Sequence, residues 1–405
     1  MRPGPLALIS VLSAVIGAAV ALAIGSALDW VGPGRTETVV AASPDVTLTE
    51  ESTPPPRSVA QPLEGTDFEP ARIYEARAEG VVTITALFAG APGAGGQGSG
   101  FVVSDDGYVL TASHVITNVG SAPSTEVRAA ENVFVEFRDG DRVPARVVGW
   151  DLFDDVALLK VDPDRHPVAP LPLGDSSQVV VGEPVAAIGS PFGAENSLAT
   201  GVVSATGRTI PTLTSRYSLV DAIQIDAPIN RGNSGGPLFD ARGRVIGLNA
   251  QIRSSSGLAE GVGFAVPINA AKRTMEDLIA RGKVSYAYIG VSTDDLWPGL
   301  ARELGLDVAR GAFLVEIVSG GPAEKAGLKG GSRTMTFQGQ EVTVGGDVVV
   351  AVDGQRVDDG GELVRIVTNM LRPGKPAIFT ILRDGERVDV PLEPGERPAG
   401  PAPAG

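Results

Sequence analysis

Ser234 lies in a segment whose composition suits a nucleophile, the run NRGNSGGPL at residues 230–238. Such a serine needs small neighbours, because an acyl group must approach its hydroxyl and an oxyanion must reach nearby backbone N–H groups. Glycine adopts positive φ readily, so the N–H groups of Gly232 and Ser234 could point into one concavity. The chemistry indicated is acyl transfer, and a plain turn of ordinary loop composition is the alternative.

A serine nucleophile needs a general base, and the chain has only two histidines. His166 lies in a proline-flanked polar segment that is typical of a solvated surface loop. His114 instead ends an apolar run, YVLTASHVI at residues 108–116, where a strand would hold the imidazole rigidly. His114 is therefore the candidate base, with a buried structural histidine as the alternative.

The third group of such a site is a carboxylate that orients the imidazole. The segment DLFDDVALLK at residues 151–160 offers three aspartates and then enters an apolar strand. Position alone does not choose between Asp154 and Asp155, and either could be a simple turn acid.

These segments together resemble the triad segments of the HtrA (Deg) family of serine proteases: TASHV at 111–115, DVALL at 155–159 and GNSGGPL at 232–238. The resemblance covers the chain from about Gly98 to its end. In that family an aspartate directly precedes the apolar strand, which implies Asp155 as the orienting acid. The implied site consists of a triad, His114, Asp155 and Ser234, and an oxyanion hole at Gly232, Asn233 and Ser234 whose donors are the Gly232 and Ser234 N–H groups.

The elements that must position these residues are short apolar runs separated by turns, which are typical of strands. Strands are predicted first at 81–87, 99–103, 108–111, 133–137, 143–148 and 156–161, and then at 184–189, 198–203, 222–226, 237–239, 245–250 and 262–266. The chain order His, Asp, Ser is that of the chymotrypsin-type double barrel. We therefore expect a mainly β, chymotrypsin-like fold of two six-stranded barrels, with the site in the crevice between them.

Substrate preference is expected from strand 222–226 and loop 251–261, beside Ser234. In the family that the chain resembles, the corresponding segments form a modest apolar pocket, and no aspartate lies at an obvious pocket base here. We expect cleavage after Val, Ala or Ile rather than after Lys or Arg. A helix from Ala270 to Arg281, capped by Asn269 and ended by Gly282, should follow the second barrel.

The rest of the chain resembles a bacterial PDZ domain, through YIGV at 288–291, GPAEKAGL at 321–328 and GDVVVAVDG at 346–354. The resemblance implies a loop that receives a C-terminal carboxylate, formed by Tyr288, Ile289, Gly290 and Val291. The predicted helix 362–371 would line the other side of the groove. The alternative is that Tyr288 and Ile289 are core strand residues. Segment 330–345 is an insertion that indicates a hairpin, and the Pro/Gly/Ala-rich segment 395–405 is predicted to be an unstructured tail.

Composition restricts the partners. The formal net charge of −15 disfavours the binding of nucleic acid, because the phosphate backbone is also negatively charged. The absence of cysteine excludes a thiol nucleophile, disulfides and thiolate metal sites. The resemblance to the HtrA family implies that no metal or other cofactor is needed.

The uncharged run from Leu6 to Leu28 would measure roughly 35 Å as a helix, long enough to cross a bilayer. We favour an uncleaved anchor over a signal peptide, because a cleaved apolar region is usually shorter. Both alternatives place the bulk of the chain outside the cytoplasm. The predicted organisation is an anchor or signal peptide (1–28), a disordered linker (29–65), a protease domain (66–283), a PDZ domain (284–394) and a flexible tail (395–405).

The resemblance implies a serine endopeptidase for protein quality control under stress. It would hydrolyse unfolded or damaged extracytoplasmic proteins, bind C-terminal peptides at its PDZ domain and assemble as a homotrimer on the cell membrane. The alternative function is a membrane-tethered PDZ scaffold whose protease domain is latent or inactive.

Overall fold

The computed structural model describes residues 68–88, 95–119, 127–190, 197–212, 214–215, 217–230, 232–250 and 261–398. The predicted anchor, the linker and loop residues 251–260 lie outside the described residues. Among the helices of the described ranges, none is long and apolar enough to cross a membrane.

The first half of the described chain closes into a barrel of six antiparallel strands, in the order β1-β2-β3-β6-β5-β4. The strands are β1 (Val81–Leu87), β2 (Gly95–Val102), β3 (Tyr108–Ala112), β4 (Asn132–Glu136), β5 (Arg142–Asp151) and β6 (Val156–Lys160). Ile84, Phe101 and Leu110 fill the interior, because alternate side chains of a strand face the inside of a barrel. Helix α1 (Pro70–Arg77) precedes this barrel, and the single-turn helix α2 (Ser113–Ile116) directly follows β3.

A second closed barrel has the order β10-β11-β12-β9-β8-β7, which confirms the predicted double barrel. Its strands are β7 (Pro184–Gly189), β8 (Ser197–Pro211), β9 (Ser218–Ile225), β10 (Pro237–Phe239), β11 (Val245–Ala250) and β12 (Gly263–Pro267). β8 extends well beyond its predicted end. Its second half pairs only with β9, through several register shifts, and most of its side chains are partly or fully exposed. Apolar periodicity therefore gave no sign of this extension.

Helix α3 (Ile268–Arg281) begins earlier than predicted, because the chain enters it directly from β12 at Pro267. Asn269 lies inside the first turn, and its amide donates to Asp175 Oδ1 at 2.7 Å. The prediction that Asn269 caps this helix is therefore wrong. The predicted stop is confirmed, since Gly282 ends the helix with φ 70°.

The remaining chain, where the sequence predicts a PDZ domain, has a main sheet with the order β14-β15-β18-β20-β21, and β19 pairs with β18. Its strands are β13 (Ala287–Tyr288), β14 (Val291–Leu296), β15 (Gly311–Ile317), β16 (Arg333–Phe337), β17 (Gln340–Val344), β18 (Val348–Val352), β19 (Gln355–Arg356), β20 (Ala377–Arg383), β21 (Glu386–Leu392) and β22 (Gly395–Glu396). Its helices are α4 (Pro298–Glu303), α5 (Pro322–Lys325) and α6 (Gly360–Asn369). β16 and β17 form the hairpin that was predicted for the insertion.

Two boundaries of the PDZ domain differ from the prediction. Helix α6 starts at Gly360, because the Asp359 carboxylate caps it by accepting from the Glu362 N–H at 2.7 Å. Residues 395–398 are not a flexible tail: β22 pairs with β13, and Arg397 is only 9% exposed. The prediction failed there because composition does not reveal pairing with a strand more than a hundred residues earlier.

Candidate active site

His114 and Asp155 come from neighbouring strand ends of the first barrel and form a hydrogen-bonded pair. β3 pairs with β6, with Ala112 opposite Val156, so the residues just beyond these strand ends meet. His114 Nδ1 lies 2.7 Å from Asp155 Oδ2. With Nδ1 engaged, Nε2 is the ring nitrogen that remains to exchange a proton with a nucleophile.

The two adjacent aspartates have different partners. Asp155 Oδ1 accepts from the Ser113 hydroxyl at 2.7 Å and from the His114 N–H at 3.0 Å. Asp154 Oδ2 instead accepts from the Tyr286 hydroxyl at 2.8 Å. Asp155 has φ 54°, a left-handed conformation that aspartate tolerates better than most residues. The backbone at Asp155 therefore directs this carboxylate, and not that of Asp154, to the imidazole.

The pairing sets the basicity of His114. Burial alone would lower the pKa of the imidazole, but the charge of Asp155 and its hydrogen bond outweigh burial and raise the pKa above its usual value. Asp155 thus stabilises the protonated imidazole, the form that arises when a base takes up a proton.

The segment before Ser234 forms a tight turn. The Asn233 N–H donates to the Asn230 carbonyl at 3.0 Å, and Gly232 has φ 101°. Positive φ at the third residue of a turn closed in this way is a conformation that glycine adopts without strain. Asn233 is part of the turn that shapes the predicted oxyanion hole, and its N–H is already engaged. The N–H groups of Gly232 and Ser234 remain the candidate donors.

Gly235 allows the turn to pass close to the first barrel. Its φ is 85°, and a Cβ atom at this position would lie 2.3 Å from the Ser99 carbonyl oxygen. The Gly235 N–H donates to the Asn249 carbonyl at 2.8 Å. A residue with a side chain cannot occupy this position without displacing the turn.

Ser99, which sequence reasoning missed, connects the first barrel to the turn at residues 232–235, called here the nucleophile turn because it carries the candidate nucleophile Ser234. Its hydroxyl donates to the Gly232 carbonyl at 2.6 Å and accepts from the Ser190 N–H at 2.9 Å, while its own N–H donates to the Ser234 carbonyl at 2.8 Å. Its carbonyl accepts from the Thr111 hydroxyl at 2.6 Å. The only signal in the sequence is a serine between Gly98 and Gly100, where β2 becomes buried.

The Ser234 hydroxyl has no hydrogen-bond partner among the described residues, although Ser234 is only 3% exposed. Buried hydroxyls are normally bonded. Nucleophile–base hydrogen bonds are often loose before substrate binds, so an unpaired hydroxyl here is compatible with a nucleophile. The structure thus joins His114 to Asp155 directly, and places Ser234 on the turn that Ser99 anchors.

The second histidine has a separate environment. The His166 ring stacks on Phe137 with centroids 3.8 Å apart, and its Nε2 lies 3.1 Å from Asp139 Oδ2. None of these residues belongs to the segments around Ser234, so His166 is not a candidate base.

The predicted carboxylate loop of the PDZ domain lies between two strands. Tyr288 ends β13, Val291 begins β14, and Gly290 turns the chain with φ 76°. Ile289 is 6% exposed, and its carbonyl accepts from the Ala323 N–H at 2.9 Å. β14 is an edge strand of its sheet and lies against α6. A peptide could therefore add as a further strand along the free edge of β14.

Two family models match the chain, a trypsin-like peptidase domain over residues 98–248 and a PDZ domain over residues 287–393. A probable periplasmic serine endoprotease, DegP-like, from Hahella chejuensis is 39% identical over 302 residues, which are 75% of this chain and 57% of that protein. A protein of the same description from Halomonas elongata is 40% identical over 301 residues, which are 74% of this chain and 56% of that protein. The chain thus spans a little over half the length of these relatives.

Solved structures are similar over nearly their whole length. The HtrA-type protease AlgW with a tripeptide has a TM-score of 0.66 and 33% identity, covering 82% of this chain and 98% of that one. A serine endoprotease from Yersinia pestis has a TM-score of 0.57 and 27% identity, covering 82% and 99%.

Proposed function

This chain belongs to the HtrA-type family of serine proteases, and from that premise we propose that it is a serine endopeptidase acting through His114, Asp155 and Ser234. The observation that carries this proposal is the hydrogen bond of 2.7 Å between His114 and Asp155, together with a buried hydroxyl of Ser234 that has no partner among the described residues.

The reaction we propose is acyl transfer from a peptide bond. His114 Nε2 takes the proton from Ser234 Oγ as that oxygen bonds to the carbonyl carbon of the substrate. The protonated imidazole then gives this proton to the leaving nitrogen as the C–N bond breaks. Water repeats the sequence on the acyl-enzyme and releases the acid. Asp155 holds the imidazole in the tautomer that keeps Nε2 unprotonated, and its charge offsets the positive charge that develops.

The oxyanion of the tetrahedral intermediate would be received by the N–H groups of Gly232 and Ser234. The hydrogen bond from the Asn233 N–H to the Asn230 carbonyl supports this role, because it closes the turn around Gly232 before substrate arrives. Donors that are fixed in advance need no reorganisation during the reaction.

The substrates we propose are unfolded or damaged proteins outside the cytoplasm, cleaved after Val, Ala or Ile. The PDZ domain would bind C-terminal peptides between β14 and α6, with Tyr288, Ile289, Gly290 and Val291 around the carboxylate. A homotrimer held at the membrane by residues 1–28 completes the proposal. The periplasmic description of the relatives supports the location outside the cytoplasm, and the tripeptide in the AlgW structure supports the binding of peptides.

The test is degradation of casein by a soluble form that starts near Gln61, with and without a peptide that ends in Val-COOH. We expect cleavage that Ser234→Ala abolishes and that the peptide increases. A folded protein that leaves casein intact under both conditions, yet binds the peptide, would instead support the scaffold alternative.

A further inference from the structure

A buried polar cluster lies behind the hairpin that carries Asp155. The carboxylates of Asp151 and Asp154, each 3% exposed, both contact the hydroxyl of Tyr286. Tyr286 Oη lies 2.5 Å from Asp151 Oδ2 and 2.8 Å from Asp154 Oδ2. The Thr274 hydroxyl and the Phe153 N–H also donate to Asp151, at 3.1 and 2.8 Å.

Both carboxyl groups accept from the one hydroxyl of Tyr286. A phenol has a single proton, so a proton on the carboxyl pair would supply a donor for the second contact. Burial raises the pKa of Asp151 to about 7, and the charge of Asp154 adds to this effect. Burial also raises the pKa of Asp154. Asp151, Asp154 and Tyr286 therefore form one hydrogen-bonded unit in which the protonation of one carboxyl group affects that of the other.

Arg397 closes the cluster from the C-terminal side. Its guanidinium carbon lies 5.2, 5.0 and 5.1 Å from the ring centroids of Phe153, Tyr217 and Tyr286, within cation–π distance of all three. Its backbone N–H donates to the Tyr286 carbonyl, and its Nη2 donates to Thr368 Oγ1, both at 2.8 Å. The Arg397 side chain thus contacts the hairpin at Phe153, the residue directly before β9 and the C-terminal part of α6.

Further charged groups face this cluster from the neighbouring elements. Those nearest Asp154 are Arg273 on α3, Asp221 on β9 and Arg397, and those nearest Asp221 include Arg365 and Glu362 on α6. The amide of Asn369 joins two of them, accepting from Arg273 at 2.8 Å and donating to Asp221 at 2.7 Å. The protease and PDZ domains are therefore connected at this place by buried and partly buried polar contacts.

The hairpin between β5 and β6 connects the cluster to the catalytic pair. Asp151 pairs with Val156 across the hairpin, and only four residues, 152–155, form its loop. Asp155 keeps φ 54°, a conformation that persists only when the surroundings fix it. One end of this short loop is held at His114, and the other at Tyr286 and Arg397.

We propose that Tyr286 and Arg397 are positioning residues for Asp155: they hold the 151–156 hairpin in the conformation in which the Asp155 carboxylate accepts from His114. This inference deepens the proposed function and rests on it for the catalytic meaning of Asp155. The position of the Asp155 carboxylate relative to His114 does not depend on proteolysis, so it can be tested without an activity assay.

The test compares Tyr286→Phe and Arg397→Gln in the full chain. Tyr286→Phe removes one oxygen and keeps the ring, so the hydrophobic packing is retained. Arg383→Gln is the matched control, because Arg383 makes two bonds of 2.7 Å to Asp347 and one of 2.8 Å to the Gly327 carbonyl, all within the PDZ domain.

The first readout is the pKa of His114, measured by NMR of a sample with labelled imidazole. All variants carry His166→Gln as well, so that His114 is the only histidine of the chain. Both cluster variants should lower this pKa, because burial still disfavours the charged ring while the Asp155 contact is weakened. Arg383→Gln should leave it unchanged. The second readout is kcat/KM on a peptide with Val at the cleaved bond. We expect a loss of about 10- to 100-fold, mainly in kcat, as for a small misplacement of a catalytic group.

An unchanged His114 pKa in folded Tyr286→Phe and Arg397→Gln would overturn the inference. An equal decrease in Arg383→Gln would do so too, since it would indicate general loosening of the PDZ domain. If the unmodified chain proves to be no protease while the pKa of His114 still falls in both variants, the proposed function fails and the positioning role stands. Loss of activity without a change in the pKa would contradict the positioning role alone.

Discussion

Ser99→Ala perturbs the link between the first barrel and the nucleophile turn. The Ser99 side chain is fully buried and bonds to both the Gly232 carbonyl and the Ser190 N–H. Alanine leaves these two groups without that partner in a site that water does not reach. A buried polar group without a partner costs about 1–3 kcal/mol. The present conformation of the turn is therefore destabilised relative to rotated conformations in which these groups find other partners.

The expected loss in rate follows from that rotation. Removal of one oxyanion donor in a serine protease costs about 10²- to 10³-fold in kcat. Ser99→Ala keeps both donors and only loosens the turn that carries them, so we expect kcat/KM to fall about 10- to 100-fold. This corresponds to about 1.4–2.8 kcal/mol, within the range set by the orphaned groups. KM should change little, because the ground state makes little use of the oxyanion site.

The assay separates kcat from KM on a fluorogenic peptide with Val at the cleaved bond, and thermal unfolding reports the folded fraction. Thr83→Val is the control: the Thr83 hydroxyl donates to Ser190 Oγ at 2.6 Å and, among the described residues, makes no bond to the turn at Gly232–Gly235. A folded Ser99→Ala protein with kcat within twofold of the parent would refute the reasoning. An equal loss in Thr83→Val would do the same.

Three further predictions concern the same region. Gly235→Ala should abolish activity, because its Cβ would lie 2.3 Å from the Ser99 carbonyl oxygen at a φ of 85°; a folded variant with parental kcat would contradict this. The acid limb of kcat/KM against pH should have its midpoint above 6.5, since neutral His114 is required and Asp155 raises its pKa; Asp155→Asn should move the limb to lower pH while lowering the rate. Stability should fall as pH rises from 3.8 to about 7, because folded Asp151 retains a proton that the unfolded chain has lost. The total change in the free energy of unfolding over this interval is at most about 4 kcal/mol. Denaturant titrations at several pH values should show a smaller change for Asp151→Asn.

The barrels were predictable because their apolar runs are short and end at clear turns. β1, β7, β10 and β11 have the predicted bounds, residues 81–87, 184–189, 237–239 and 245–250. The second half of β8 was missed, since exposed small and polar side chains carry no period-two signal.

The sequence singled out His114 and Ser234 because the proposed chemistry requires these residue types, and the structure pairs His114 with Asp155. The residues alone left Asp154 and Asp155 undecided, because their difference depends on φ at Asp155 and on a tyrosine 132 residues away from Asp154. Ser99 and Arg397 were missed for the same reason. Their roles consist of contacts with distant segments, and no local pattern records such contacts.

The most direct measurement of the central claim is covalent labelling with an organofluorophosphonate, followed by intact mass and peptide mapping. The account predicts one adduct per chain, on Ser234, formed at a rate that His114→Ala reduces by several orders of magnitude. A folded protein that forms no adduct, or forms it on another residue, would contradict the assignment of Ser234 as the nucleophile.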